Sequence, residues 1–523
     1  MTSPELGDFV RAFVQLSAEA HRLVPDEAPS LLTRLRDHLG DDPGTMPVVG
    51  EQFPAYEQVN VQIGLEAVLS APGRSSELVG IAGQHGRHMG LSELIGMMGQ
   101  GMTVPPGPVD YVNLPDGPDS RRACLNAGLH LLDDGGRKEA VFVRGPSEHG
   151  VPIVLVEVAG ADPAAGQRLL DELRAEMAAR TVFRGKVLAL RGTPYGPAGA
   201  EFVTLDPVDT DGLVLPPGLL ERIERQTAGF SSRREALAAA GRHLKRGLLL
   251  YGPPGTGKTL TVRHVAGRLP DHTVLLLSGQ GLVFIGPAIE LARSLQPAMV
   301  VLEDVDLIAE ERTGTGPHQL LFELLEGMDG LDGDADVVFV LTTNRPDLLE
   351  PALATRPGRI DLAVEIPLPD AAARERLIRL YARGLRLDVA DLAPVIARTE
   401  GVTASFVTEL LRKAALLAAL EAVGPLVVTA RHLDQALDEL MDTGSALTRS
   451  LLGGVGPVPA AGPAAPPGPA PVPGLAPVPG LAPVGGSGSV GGSGPAPGSA
   501  PAPGPGPAFG QGYGWTVSFH SGG

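Results

Sequence analysis

At 523 residues the chain is too long for one hydrophobic core, and 42 Lys and Arg against 60 Asp and Glu give a formal net charge of −18. That balance works against a broad phosphate-binding surface and disfavours nucleic acid as a partner. The single cysteine, Cys124, excludes an internal disulfide, a cysteine-based zinc site and a Cys-x-x-Cys redox pair, and it fits a reducing cytoplasm.

The N-terminal stretch "MTSPELGDFVRAFVQLSAEAHRLV" has helical spacing and no basic leader followed by an apolar core. A second amphipathic pattern follows in "SLLTRLRDHL". No apolar run reaches membrane-spanning length; "VPIVLVEVAGA" is the longest contender and is of strand length. Residues 1–200 therefore read as an α+β region. In it, "AVFVRG", "PIVLVEV" and "KVLAL" have strand character and "PAAGQRLLDELRAEMAAR" is a strong helix. His85, His88 and the Met-rich "GMMGQGM" read as a glycine-rich loop or core packing, because no acidic or cysteine partner stands at ligand spacing.

Residues 201–235 form a turn-rich and then helical linker. The chain then alternates short apolar runs, "LLLY", "TVLLL", "MVVLE", "DVVFVLTT" and "LAVEI", with helical patterns. Runs apolar on both faces imply a parallel sheet covered by helices. The first leads into Gly252, Pro253, Pro254, Gly255, Thr256, Gly257, Lys258 and Thr259, and a helix opens at Leu260. This is G-x-x-x-x-G-K-T in its strand, loop, helix setting. Backbone N–H groups at a helix N-terminus converge there on phosphate oxygens, Lys258 reaches the β- and γ-phosphates, and Thr259 ligates Mg²⁺. ATP and Mg²⁺ are the cofactors expected.

"RGLLLYGPPGTGKT", the acidic strand end "VVLEDVD", "LTTNRPDLLEPALATRPGRID" and "TEGVTASFVTELLRKAAL" together resemble one AAA domain of the AAA+ ATPases. The resemblance implies a P-loop α/β subdomain over 236–368 and a helical lid over 369–444. It covers neither the N-terminal region nor the Pro/Gly/Ala-rich tail, 445–523, whose composition predicts disorder. It also implies roles. Glu303 takes the Mg²⁺ place and Asp304 the place of the base, in the reverse of the usual Asp-Glu order. That order resembles the branch containing the mitochondrial chaperone that assembles respiratory complexes. Asn344 matches the residue that senses the γ-phosphate. Arg356 and Arg359 match the fingers a subunit offers to its neighbour's nucleotide; one residue more than the usual spacing leaves both as alternatives. Asp306 reads as a helix cap or a solvated acid.

Between the second strand and the acidic strand, Phe284, Ile285 and Gly286 match by position the loop that lines the pore of AAA protein remodelers, or else form a buried turn. The implied partners are further copies of the chain in a hexameric ring and a protein substrate or adaptor. The competing expectation is a nucleotide-controlled assembly scaffold with slow or no turnover. A DNA-loading ATPase is disfavoured by the acidity.

Overall fold

The computed structural model describes residue 12 and residues 30–83, 88–147, 152–193, 196–307, 319–330, 335–348, 359–421 and 425–442. Apart from residue 12, the first amphipathic pattern falls outside the described residues, as do His85, Arg356 and the tail.

The N-terminal part is built on an antiparallel sheet. Its elements run α1 (Leu31–Leu39), β1 (Val48–Pro54), α2 (Gln58–Leu69), β2 (Arg74–Ile81), α3 (Leu91–Gly99), β3 (Pro106–Gly107), β4 (Asp110–Pro115), β5 (Arg121–Asp134), β6 (Arg137–Arg144), β7 (Ile153–Gly160) and α4 (Pro163–Arg180). The strand order is β1-β7-β6-β5-β2-β3, with β4 also on β5. Side chains alternate across β6 and β7, so one face supplies Val141, Val143, Val154 and Val156 to a core under α2 and α4. The other supplies Ala140, Phe142 and Ala159 to a core under α1 and α3. Caps set the helix ends: the Ser30 side chain accepts from Thr33 N at α1, and Asp162 accepts from Ala164 N at α4, where Pro163 takes the first turn.

Of the two readings of the Met-rich stretch, core packing describes Met98 and a helix end replaces the loop. Leu91, Leu94, Ile95 and Met98 are buried at helical spacing, so its first residues close α3.

The second sheet takes in β8 (Val187–Thr193), β9 (Gly196–Phe202), β10 (Arg246–Tyr251), β11 (Thr273–Leu277), β12 (Ala298–Leu302), β13 (Val337–Thr343) and β14 (Leu362–Glu365). Their order is β14-β10-β13-β12-β11-β8-β9, parallel throughout except for the β8–β9 hairpin. Short helices α5 (Leu219–Glu224) and α6 (Arg234–Ala239) precede β10. Helix α7 (Lys258–Gly267) follows it, α8 (Ile285–Ser294) follows β11, and α9 (Gln319–Asp329) precedes β13. Strands β12 and β13 are buried along their whole length, as the continuous apolar runs require.

This sheet does not begin at the expected bound near residue 236. Strand β8 pairs in parallel with β11, so a run assigned from sequence to the N-terminal region extends the second sheet. The two regions also share a core, in which Tyr56, Val59 and Cys124 join residues of α8, α9, β12 and β13. Only six residues, Thr181 to Lys186, separate α4 from β8, and Gly185 N donates to Thr273 Oγ1 at 3.0 Å.

Beyond the sheet, α10 (Ala371–Tyr381), α11 (Ala393–Arg398), α12 (Ala404–Glu421) and α13 (Ala430–Asp442) enclose a separate core around Phe406, Leu410 and Leu433, with β15 (Arg386–Asp388) and β16 (Val427–Thr429) paired beside them.

Candidate nucleotide site

The carboxyl ends of β10, β12 and β13 converge, which is where parallel α/β sheets bind ligands. From β10 the chain turns through the glycine-rich loop into α7. Gly252 sits at φ 140 with its missing Cβ position 2.3 Å from Ile366 O, and Gly255 at φ 75 leaves room for the Ser405 hydroxyl; any side chain at either position meets both backbone strain and a neighbour. Thr256 Oγ1 donates to Pro253 O at 2.9 Å and closes the loop on itself.

Lys258 is 6% exposed. Its ammonium donates to Gly252 O and Pro253 O, each at 2.9 Å, and to Asn344 Oδ1 at 2.8 Å. Burial holds its pKa below the ordinary lysine value, against the opposing pull of the Asp304 and Asp306 carboxylates. Asn344, at the end of β13, then donates through Nδ2 to Asp304 Oδ1 at 3.2 Å. Lysine, amide and carboxylate thus form one chain across the tips of three strands.

Asp304 is the only non-glycine residue with positive φ, 52°, among the described residues. Aspartate tolerates this region better than most residues. The turn is held by the Thr342 hydroxyl, which accepts from Asp304 N at 3.0 Å, by Val305 N on Thr342 O, and by Leu307 N on Asp304 O. Backbone held in a sparse region by surrounding bonds concentrates at functional sites. Glu303 continues the β12 ladder, its N–H donating to Leu277 O at 2.9 Å. By strand alternation it follows Met299 and Val301, which pack with the α7 residues Val262 and Val265. Glu303 therefore lies on the α7 side, the side of Thr259, whose side chain is exposed at the helix start.

Asp306 corrects its reading as a cap or solvated acid. It is 7% exposed, and its Oδ1 accepts from Thr343 Oγ1 at 2.9 Å and from Asn344 N at 3.2 Å. It fixes the end of β13 and with it the backbone of Asn344. The spacing of a third acid two residues after Asp304 was the available signal; its partners, Thr343 and the backbone of Asn344, lie about forty residues on and meet it only in the parallel sheet.

The N-terminus of α12 rests on the P-loop. Ser405 N donates to Gly255 O at 3.1 Å, and Ser405 Oγ does so at 3.3 Å. The small residues Ala404 and Ser405 permit that approach.

Arg359 differs from the expectation of a finger. It is 4% exposed, with Nε donating to Asp329 Oδ1 at 2.9 Å and a second contact from its guanidinium to Asp329 Oδ2. Within this chain it ties the approach to β14 to the end of α9, because a buried guanidinium needs a fixed carboxylate close by. Phe284 and Ile285 likewise do not form a free loop here. Ile285 opens α8 at 1% exposure in the shared core. The half-buried Phe284 ring puts its tip against Gly192 of β8, where an added Cβ would fall 1.8 Å from Cζ. Gly286 follows in α8, and the exposed apolar residue of the segment is Val283, at 49%.

The donor chemistry fits a hard cation bound with nucleotide. Thr259 and Glu303 offer oxygen ligands, and Mg²⁺ characteristically takes one or two protein oxygens plus phosphates and water. Among the described residues no group of three or more His, Cys, Asp or Glu could hold a metal unaided.

Comparison with known proteins agrees with the geometry. Residues 248–368 match the family described as "ATPase family associated with various cellular activities (AAA)". The chain is 36% identical over 255 residues to the ATP-dependent zinc metalloprotease FtsH 2 of Symbiobacterium thermophilum, covering 46% of this chain and 42% of that protein. It is 38% identical over 216 residues to the ATP-dependent zinc metalloprotease FtsH of Thermus thermophilus, covering 38% and 34%. With FtsH of Mycobacterium leprae the identity is 37% over 219 residues, covering 38% and 27%. The chain thus spans less than half the length of these relatives. Residues 248–368, with strand, P-loop and acidic strand end in place, constitute an AAA ATPase domain, whose cofactors are ATP and Mg²⁺ and whose reaction is ATP hydrolysis.

Proposed function

We propose that the whole protein is a ring ATPase, a homo-hexamer, that couples ATP turnover to remodelling or threading of a protein. The observation that carries this reading is the bonded chain from Lys258 through Asn344 to Asp304, which puts phosphate ligand, sensor and base in one unit. When bound, Mg²⁺-ATP supplies the transferable phosphoryl group. Lys258 exchanges its loop carbonyls for phosphate oxygens, and Thr259 and Glu303 hold the metal. Asp304 takes the proton of the attacking water, oriented by Asn344. A base one methylene shorter than the usual glutamate makes slow turnover the expectation. The Glu-Asp order keeps the kinship with the assembly-chaperone branch as part of the proposal.

Arg356 takes the finger role in this reading, because Arg359 is committed to Asp329 within its own chain. Phe284 grips the substrate once the segment leaves Gly192 on ring assembly. The cytoplasm is the proposed location; among the described residues no helix is long and apolar enough to cross a membrane. The zinc protease chemistry in the relatives' names is not carried over, since the sequence contains no His-Glu-x-x-His.

The test is ATP-driven unfolding of a tagged model substrate by wild type and Phe284→Ala, with ATP turnover measured in parallel. The reading expects substrate work to be lost while turnover stays within about threefold. Nucleotide binding without turnover or substrate work in the wild type would leave the assembly scaffold as the better description.

A further inference from the structure

Helix α7 carries Lys258 and Thr259 at its start, and His264 stands about 9 Å further along its axis at 1.5 Å per residue. The imidazole is buried, at 2% exposure. Its Nδ1 lies 2.7 Å from Val208 O and its Nε2 2.9 Å from Glu224 Oε1. Both partners accept, so the ring meets each through an N–H when both bonds are made. Burying an imidazole costs free energy unless its nitrogens are bonded, and here both bonds leave α7 for the segment that precedes β10.

That segment is a strap between two cores. Val208 leads into the turn Thr210–Gly212, and Glu224 closes α5, so one side chain clips the excursion at both ends. Between the clips, Leu215, Leu219 and Ile223 pack with the α7 residues Val262 and Val265. Val214 turns the other way and packs on the lid core around Phe406 and Leu410. The lid in turn reaches the P-loop, where Ser405 N donates to Gly255 O at 3.1 Å. The contacts close a circuit: P-loop helix to strap through His264, strap to lid through Val214, and lid to P-loop through Ser405.

We propose that His264, together with Glu224, is a positioning residue for nucleotide binding: it clips the strap to the P-loop helix and so fixes the approach of the lid to the P-loop. It touches neither the phosphates nor the attacking water, so its loss acts on the hold on the nucleotide rather than on the chemical step. The inference rests on the nucleotide site alone and on neither the ring nor the threading of a substrate.

Equilibrium binding of Mg²⁺-ADP, which is not turned over, and steady-state kinetics with ATP test it on the full chain. His264→Ala and Glu224→Ala are each expected to weaken ADP binding and raise KM for ATP by about tenfold, as for one lost hydrogen bond to a charged group, while kcat stays within about threefold. The double variant should bind no more weakly than His264→Ala alone, because the two side chains act as one clip. Arg268 is the control: its side chain is 60% exposed and stands 3.4 Å from Glu224, and Arg268→Ala should leave ADP binding unchanged. The Glu224 side chain is 27% exposed, so Glu224→Ala decides the matter if circular dichroism shows that His264→Ala does not fold. Unchanged ADP binding in folded Glu224→Ala, equal weakening in Arg268→Ala, or a fall in kcat with KM unmoved overturns the proposal.

Discussion

The two seven-stranded sheets solve different problems with similar numbers of residues. In the antiparallel sheet charges are spread along the strands and pair locally, as Arg74 does with Asp134 and Glu172. In the parallel sheet β12 and β13 are buried throughout and apolar up to Thr342, and polar groups collect where the strands end: Glu303, Asp304 and Asp306 after β12, Thr342, Thr343 and Asn344 at the end of β13. Parallel strands align their carboxyl ends on one edge, so residues distant in sequence meet there; antiparallel strands alternate their ends and give no such convergence. The lesson is that substitutions in the first sheet should move stability, and substitutions at the carboxyl edge of the second should move turnover.

The sharpest contrast lies within three residues. Replacing Arg356, the proposed finger, by Ala should lower turnover by about 10³-fold, the lower end for an arginine supplied by a neighbour, with little change in the denaturation midpoint. Replacing Arg359 by Ala should instead destabilise the chain by about 3 kcal/mol, because it breaks a largely buried pair; the half-exposed Asp329 keeps the loss at the low end of the range. Steady-state kinetics and urea denaturation of the two variants distinguish the roles. Equal loss of turnover with no loss of stability in Arg359→Ala would return it to the finger role.

His130 tests the antiparallel side. Burial lowers its pKa to about 4 from an ordinary value near 6.5. Between those values the unfolded chain binds the extra proton, so stability is intact above about pH 6.5 and falls as pH drops toward 4. The shift corresponds to up to about 3 kcal/mol. Denaturation at pH 7 and pH 4.5 should show a smaller acid loss in His130→Gln than in wild type, with turnover at pH 7 unchanged. The buried carboxylates Glu57, Glu139 and Glu157, whose pKa values are raised chiefly by burial, act in the opposite sense, so the difference between the variant and wild type is the informative quantity.

Asp306→Ala tests the carboxyl edge at smaller amplitude. Loss of its bonds to Thr343 and Asn344 should cut kcat by about 30-fold through misplacement of Asn344, while KM for ATP stays within about threefold. Asp306→Asn, which still offers an acceptor, should recover most of the rate. A parallel rise in KM would make Asp306 a support of the P-loop as a whole.

Much of this architecture was legible in the sequence. The apolar runs of β10 to β14 and the helix over 163–180 follow from hydrophobic pattern, and the P-loop from residue types at fixed spacing. What was not legible depends on contacts between distant segments. "KVLAL" has strand character, but nothing local says that it pairs with β11 rather than with the strands nearer to it in sequence. Arg359 resembles a finger by position, and only Asp329, thirty residues earlier, reveals its internal pairing. Phe284 fits two environments equally well until Gly192 is seen against the tip of its ring. Asp306 looked solvated because its partners, Thr343 and the backbone of Asn344, arrive from another strand.

Asp304, positioned by Thr342 and bonded through Asn344 to Lys258, is the proposed base of a ring ATPase completed in trans. Steady-state ATP turnover with Mg²⁺, measured for wild type and Asp304→Asn over a wide range of protein concentration, tests it most directly. Specific turnover should rise with concentration as subunits assemble and fall by about 10²-fold or more in Asp304→Asn, with ATP binding retained. Turnover per subunit that is independent of concentration, or unchanged in Asp304→Asn, would contradict it.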